Sequence, residues 1–176
     1  WRSVLNISAD TFANYRQFLS NWQFMRYTLC VTFFYVAAFT FIVGSPFVYI
    51  SFYGVDAQHY GWLFALNIVG VMGLSFINRN LVKRFSLDHL LKCTTAIATI
   101  ALITLCVLFY EQVGGIYSII AMVFIFFSMN GMIAANSTAA ALDGVPEMAG
   151  SASALIGSLQ YGSGIISSLL LAWLSN

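Results

Sequence analysis

The sequence predicts an all-α integral membrane protein with five transmembrane helices. Three observations carry this prediction. The chain is 60% apolar and only 7% charged, five long uncharged runs follow one another, and all seven Lys and Arg residues fall on one side if those runs are crossings. Soluble domains typically contain about 25% charged residues. The composition therefore excludes a water-soluble fold.

The charged residues delimit runs of 29, 19, 18, 31 and 29 uncharged residues. A helix needs roughly 20 apolar residues to cross a hydrocarbon core of about 30 Å. Backbone groups in lipid must bond within the segment, and the runs lack the polar/apolar alternation of outer-membrane strands. We therefore expect helical spans at residues 27–49, 60–78, 91–110, 115–139 and 151–174.

The basic residues predict the orientation of these spans. All of them precede the first span or join the second to the third: Arg2, Arg16, Arg26, Arg79, Lys83, Arg84 and Lys92. The positive-inside rule places these segments in the cytoplasm. The opposite loops carry only Asp56, His59 and Glu111. We therefore expect a cytoplasmic amino end and an external carboxyl end. Because the number of crossings is odd and the chain begins at Trp1, we also expect it to be a piece of a longer protein.

Residues 1–26 differ from the rest of the chain. Phe12, Tyr15, Leu19 and Trp22 recur at helical spacing, a pattern typical of an amphipathic helix in the membrane interface. A solvated connector is the alternative. Residues 1–26 are thus predicted to be a cytoplasmic interfacial linker, and residues 27–176 the helix bundle.

Polar side chains inside the spans are the candidate binding residues. Asn67, Asn130 and Gln160 are amides on three different spans, and an unpaired amide in an apolar segment is unfavourable by a few kcal/mol. They either converge on one site or each bond a neighbouring helix. Tyr35 and Phe39 share a face of the first span. Aromatic and hydroxyl groups together suit a cavity for amphipathic small molecules, although a simple packing face fits equally well.

Two further patterns predict helix geometry. Gly44 and Pro46 should bend or locally unwind the first span, because Pro removes a backbone hydrogen bond and clashes with the preceding turn. Small residues at four-residue intervals predict close packing of the last span. These residues are Gly150, Ala154, Ser158 and Gly162.

The composition of the spans argues against an enzyme. Their middles contain no Asp, Glu, Lys, Arg or His, and no carboxylate pair, His cluster or activated Ser is available. We therefore expect no catalytic residue, metal or cofactor, and no nucleic-acid partner. Cys30, Cys93 and Cys106 lack ligand spacing and are expected to be buried packing thiols. If protons drive this protein, the titrating group lies outside this chain.

Three segments carry a resemblance to a known family. They are FIVGSPFVYI (41–50) with YGW (60–62), NRNLVKRF (78–85), and PEMAGSASALIGSLQYGSG (146–164). Together they resemble the carboxyl-terminal half of the Bcr/CflA branch of the major facilitator superfamily, which are twelve-helix drug/proton antiporters. The five spans would be family helices seven to eleven. The basic loop departs from the superfamily pattern at Asn78, where an acidic residue is favoured, and at Ser86, where a Gly is favoured.

The resemblance implies two six-helix halves that rock about a central cavity, with the ninth helix toward lipid. The implied substrate cavity contains Tyr35, Phe39, Asn67, Asn130 and Gln160. Gly44 and Pro46 would form a bend or gate, and the cytoplasmic gating loop would contain Asn78, Arg79, Lys83 and Arg84.

The function that follows is proton-coupled export of drug-like molecules across the bacterial inner membrane by alternating access. The implied partners are the lipid bilayer, an amphipathic small-molecule substrate, protons bound elsewhere, an amino-terminal half and a twelfth helix. Two alternatives remain. One is a major facilitator carrier of one defined metabolite, and the other is a non-transporting scaffold subunit.

Overall fold

The structure, a computed structural model, describes residues 18–174. Five long helices follow a helical turn at residues 18–20. They are α1 (Trp22–Pro46), α2 (Ala57–Leu81), α3 (Leu87–Glu111), α4 (Gly115–Asp143) and α5 (Ala149–Leu174). A π-helix (Phe47–Phe52) continues α1, and a 3-10 turn (Pro146–Met148) precedes α5. The described part of the chain contains no β-strand.

All five helices are long and apolar enough to cross a membrane. The continuous helical stretches contain 25 to 31 residues. At 1.5 Å per residue even the shortest is roughly 38 Å long, which exceeds a hydrocarbon core of about 30 Å. The predicted fold class, an all-α membrane protein with five spans, is confirmed.

The helices extend beyond the predicted spans. Helix α2 begins three residues before position 60 and ends at Leu81, three residues after position 78. Charged residues mark where the hydrocarbon ends, whereas helical hydrogen bonding continues through the interfacial zone. Asn78 and Arg79 consequently lie in the last turn of α2, and only residues 82–86 connect it to α3. Arg79, assigned to the loop, therefore belongs to α2, as does Asn78, the last residue of the predicted span; the gating role of both stays a prediction.

Asn21 sets the start of α1. Its side-chain Oδ1 accepts a hydrogen bond from the Phe24 backbone N–H at 3.1 Å, and its Nδ2 donates to the Gly144 carbonyl at 3.2 Å. Because Asn is a favoured N-cap residue, α1 begins at Trp22, five residues before the predicted span. Phe12 and Tyr15 of the predicted amphipathic helix lie outside the described residues. The assignment of residues 1–26 as a linker stays a prediction.

The chain divides into two compact units. The described residues of the first unit are 18–37 and 137–174. Within it, the Ser167 hydroxyl of α5 donates to the Val36 carbonyl of α1 at 2.9 Å. The buried face of α5 includes Ala152 and Ile156.

Close packing of the last span does not occur at the predicted positions in the part of the chain described. A Cβ added at Gly150 or Gly162 would meet nothing within 4 Å, and Ala154 and Ser158 are exposed. Helix α5 instead buries the face that contains Ala152 and Ile156. The predicted stripe is therefore not a packing face within this unit.

The second unit comprises residues 38–136, and its central contact joins α2 to α4. A Cβ added at Gly70 would lie 2.7 Å from the Phe124 ring, and one added at Gly131 would lie 3.1 Å from the Ser75 backbone nitrogen. Neither position has room for a side chain, so the two backbones approach closely. We call this contact the α2–α4 seam.

Asn78 and Asn136 close one end of this seam. The Nδ2 of each amide donates to the Oδ1 of the other, at 2.8 Å and 3.0 Å. Both residues are buried. Each amide thus satisfies one donor and one acceptor of the other, which lowers the free-energy cost of burying both. We call this the closed amide pair.

At Pro46 the α-helix gives way to the π-helix. Pro46 has no N–H to offer the Ile42 carbonyl, and the Ser45 hydroxyl donates to that carbonyl instead, at 3.0 Å. The Ser45 Oγ also lies 2.7 Å from the Tyr60 hydroxyl of α2. Since the Ser45 hydrogen is already used, Tyr60 is the donor in this second bond. A chain of two hydrogen bonds thus links the start of α2 to the interrupted turn of α1.

The cysteines do not behave as expected. Cys93 and Cys106 are exposed on α3 and Cys30 is half-buried. The buried face of α3 instead contains Thr94, Ala98 and Leu105. The expectation of buried packing thiols is wrong for Cys93 and Cys106, because each lies off the buried stripe of its helix.

Replacing one member of the closed amide pair should destabilise the protein more than replacing both. Asn78→Leu or Asn136→Leu leaves a buried amide unpaired, which lowers the free energy of unfolding by about 1–3 kcal/mol. The double variant removes both polar groups and should lose clearly less than the sum of the singles. SDS-induced unfolding of the purified protein measures these values, with Asn80→Leu, an exposed amide on the same helix, as control. Additive losses would contradict the pairing.

Gly70 and Gly73 should respond differently to the same substitution. Gly70→Ala places a methyl group against Phe124 and should cost about 1–3 kcal/mol. Gly73→Ala meets nothing within 4 Å and should be neutral or slightly stabilising. Thermal denaturation of the two variants, at matched expression, compares them. Equal effects would show that α2 and α4 do not approach closely at Gly70.

The loss of the Ser45 hydroxyl should depend on Pro46. Ser45→Ala leaves the Ile42 carbonyl without its donor and should destabilise by about 1 kcal/mol. In a Pro46→Ala background the new N–H of residue 46 supplies that donor, so the same substitution should have a smaller effect. A double-mutant cycle on thermal stability measures the coupling. An unchanged effect of Ser45→Ala in the Pro46→Ala background would refute the compensation.

Candidate functional site

The second unit contains a cavity of about 260 Å³ bordered by α1, α2 and α4. Two amides, Asn67 of α2 and Asn130 of α4, line it. The remaining lining side chains are apolar: Ile42, Phe64, Ile68, Val71 and Phe127. The cavity is thus an apolar space with two polar side chains in its wall.

Helical periodicity explains why these residues meet. Phe64, Asn67, Ile68 and Val71 are spaced by three and four positions, which places them on one face of α2. On α4 the lining residues are three positions apart, Phe127 and Asn130. Asn67 precedes Gly70 by three residues and Asn130 precedes Gly131 by one, so the α2–α4 seam holds the two lining faces close to each other.

The two amides have no hydrogen-bond partner among residues 18–174. Neither side chain bonds another residue in the part of the chain that the structure describes. The Asn130 Oδ1 is also fully buried. An unpaired buried acceptor is unfavourable by about 1–3 kcal/mol. We call Asn67 and Asn130 the open amide pair, in contrast to the closed amide pair on the same two helices.

An aromatic cluster adjoins the cavity. The Phe127 ring packs edge-on against Phe41 with centroids 5.6 Å apart, and Phe41 packs similarly against Tyr49 at 6.1 Å. Tyr49 in turn lies 6.1 Å from Tyr60, the donor to Ser45. Edge-to-face aromatic pairs are favourable beyond the area they bury. The cluster therefore supports one wall of the cavity and connects it to the interrupted helix at Pro46.

The structure brings two of the five predicted cavity residues together. Asn67 and Asn130 line one cavity, and Phe39 lies in the same unit without being among the lining residues. Tyr35 and Gln160 belong to the first unit. There, the Tyr35 ring packs edge-on against Tyr161 at 6.2 Å, and the Gln160 backbone carbonyl accepts the Ser163 hydroxyl. A five-residue substrate cavity stays a prediction.

The sequence prediction missed the apolar part of the wall. Ile68 and Val71 follow Asn67 at one and four positions, and Phe127 precedes Asn130 by three. Helical intervals from the two amides lead to Val71 and Phe127 but not to Ile68, and the sequence does not distinguish such apolar residues from lipid-facing ones.

The basic residues of the predicted gating loop are all exposed. Arg79 is in the last turn of α2, and Lys83 and Arg84 lie in the short connection to α3. Ser86 ends that connection by capping α3, its hydroxyl accepting from the His89 N–H at 3.3 Å. The short connection and its cap hold the charges at the end of the helix pair.

The cavity offers no ionisable chemistry. Its lining residues include no acidic, basic or His side chain. Among the described residues, no group of three His, Cys, Asp or Glu side chains is placed to hold a metal ion. The arrangement suits reversible binding of a molecule through apolar contact and hydrogen bonds.

Comparison with known proteins identifies the family. Residues 3–168 match the profile of the Major Facilitator Superfamily. A bicyclomycin resistance protein homolog of Haemophilus influenzae is 31% identical over 160 residues, which are 89% of this chain and 40% of that protein. An uncharacterized MFS-type transporter of Bacillus subtilis, YdgK, is 32% identical over 144 residues, which are 80% of this chain and 35% of that protein.

The chain thus spans well under half the length of these relatives. No solved structure gives a significant match. The resemblance to the Bcr/CflA branch carried by the three sequence segments is confirmed by the similarity to the bicyclomycin resistance protein homolog. With five membrane-length helices and a family match over most of its residues, the chain belongs to the major facilitator superfamily of membrane transporters.

Proposed function

We propose that this chain forms part of a secondary transporter that exports drug-like small molecules across the bacterial inner membrane in exchange for protons. The observation that carries the proposal is the apolar cavity with the open amide pair, set between membrane-length helices. A transporter needs a substrate site within the membrane that is reached from either side in turn. Asn67 and Asn130 are the residues of this chain that would contact the substrate there.

The position of the chain within the transporter follows from the resemblance. Helices α1 to α5 would be the seventh to eleventh of twelve, with residues 1–26 as the linker from the amino-terminal half. Charge supports a cytoplasmic amino end, because the α2–α3 connection carries the basic residues. The α1–α2 connection instead carries Asp56, whose carboxylate lies 3.5 Å from His59.

The composition of the cavity supports a drug-like substrate. A pocket for an amino acid or sugar acid would present a charge or exposed helix ends, whereas this wall is formed by aliphatic, aromatic and amide groups. The similarity to a bicyclomycin resistance protein homolog favours the same conclusion.

Pro46 and the π-helix provide a place for gating. Short π-helical segments frequently occur at functional sites, and the residues after Pro46 lack regular α-helical hydrogen bonding. We infer that the outer part of α1 moves about Gly44 and Pro46, with the Tyr60–Ser45 bond made in the state seen here. Asn78, Arg79, Lys83 and Arg84 would act at the cytoplasmic end of α2.

Proton coupling requires a titrating group that the cavity does not supply. The lining residues carry no carboxylate or His, and proton relays in membranes use such residues. We infer that the coupling residue belongs to another part of the transporter. The cavity in this half would then be the substrate side of the exchange.

Export is tested by dye accumulation in cells that lack their own drug exporters. Cells with the full-length transporter should accumulate less Nile red than cells with an empty vector, and a protonophore should abolish the difference because it removes the proton gradient. A variant that carries both Asn67→Leu and Asn130→Leu, compared at equal amounts in the membrane, should export less dye.

Three results would distinguish the proton-coupled exporter from the alternative functions. A dye difference that persists in the protonophore would contradict proton coupling. Uptake or release of a single metabolite with no dye transport would favour the defined-metabolite carrier. Absence of any dye or metabolite flux would favour a scaffold subunit.

A further inference from the structure

The four Asn residues of the α2–α4 seam differ in what they bond. Asn78 and Asn136 pair with each other through two hydrogen bonds of 2.8 Å and 3.0 Å. Asn67 and Asn130 line the cavity of about 260 Å³, and in the described part of the chain neither side chain has a partner. The same type of side chain on the same two helices is therefore satisfied at one end of the seam and unsatisfied beside the cavity.

We propose that the open amide pair is a subsite for an uncharged amide group of the exported molecule, one whose N–H and C=O lie side by side on a single edge. Primary carboxamides and ring amides have this edge. The inference rests on the proposed export function and specifies the chemical class of substrate for the same cavity.

The closed amide pair shows the geometry that such recognition uses. An Asn side chain there meets a second carboxamide edge to edge, each donating one N–H and accepting one. A ligand amide entering the cavity presents the same edge that Asn136 presents to Asn78. It satisfies a donor and an acceptor of the open amide pair together, whereas an ether or a hydrocarbon would leave the buried Asn130 Oδ1 unpaired.

The charge of the lining argues against other ligand classes at this subsite. A cation would lose its hydration without meeting a carboxylate, and an anion would meet no Lys, Arg or helix N-terminus. Apolar residues surround the amides, with Phe64 on α2 and Phe127 on α4. These walls suit an aromatic or aliphatic body next to the amide. The volume is below the roughly 300–1,000 Å³ of complete drug sites, so the subsite holds one portion of the substrate.

Binding of a matched pair of compounds tests this inference. 2-Naphthylacetamide carries a primary carboxamide, and its N,N-dimethyl derivative keeps the ring and the carbonyl but loses both N–H donors. Equilibrium binding of the tritium-labelled compounds is measured on the purified full-length transporter in nanodiscs. The primary amide should bind about 5- to 10-fold more tightly, as expected for one hydrogen bond of ordinary strength.

The ratio of the two affinities should depend on the open amide pair. In Asn67→Leu and in Asn130→Leu it should fall to within about twofold, because the lost hydrogen bond no longer distinguishes the compounds. Asn80→Leu, which replaces an exposed amide of α2 outside the cavity, should keep the ratio of the unmodified protein. Since both compounds are measured on one preparation, partial loss of folded protein changes both affinities and leaves the ratio intact.

Equal affinities in the unmodified protein, no binding of either compound, or an undiminished ratio in both Leu variants would overturn the inference. Failure of the export proposal looks different. An amide preference that depends on Asn67 and Asn130 without any dye export would leave the subsite and remove the exporter, whereas dye export without an amide preference would do the reverse.

Discussion

The close approach of α2 and α4 at Gly70 and Gly131 is the contact on which the second unit depends. In a membrane there is no hydrophobic force between apolar helices, so association relies on tight packing and interhelical hydrogen bonds. Glycine provides the first and the closed amide pair the second. Because the seam fixes the rotation of both helices about their axes, it also determines which side chains line the cavity.

The amide side chains along the α2–α4 seam differ in whether they are hydrogen-bonded to each other. Asn78 and Asn136 are uncharged and mutually bonded, so this end of the helix pair is held without any group that responds to pH. Asn67 and Asn130 have no hydrogen-bond partner in the described part of the chain, and we propose that a substrate supplies one. Pro46, Ser45 and Tyr60 add a helix interruption beside the same cavity. The unit thus combines a closely packed helix pair with an interrupted helix, which we propose is the segment that moves.

Much of the fold was predictable because membranes restrict the alternatives to long apolar helices. Charge spacing located all five helices but missed most of their ends. Asn21 and Ser86, for example, set helix starts through caps whose partners the charge pattern does not reveal. Asn67 and Asn130 were predictable as polar residues in apolar segments. Their neighbours in the wall were not, because apolar residues there resemble any lipid-facing residue. The small-residue stripe from Gly150 predicted packing that the structure instead places at Gly70 and Gly131. Whether a single glycine lies against a Ser or Phe side chain of the neighbouring helix depends on the tertiary structure, which spacing along the sequence does not reveal.

We propose that Asn67 and Asn130 face a space open to water and substrate, and not packed protein or lipid. Reaction with a membrane-impermeant thiol reagent measures this most directly, in a full-length transporter whose native cysteines, including Cys30, Cys93 and Cys106, have been replaced by Ala. Asn67→Cys and Asn130→Cys should react readily, whereas Ile133→Cys, at a fully buried position of α4, should not. Unreactive thiols at both Asn positions, or equally fast reaction at position 133, would contradict the account.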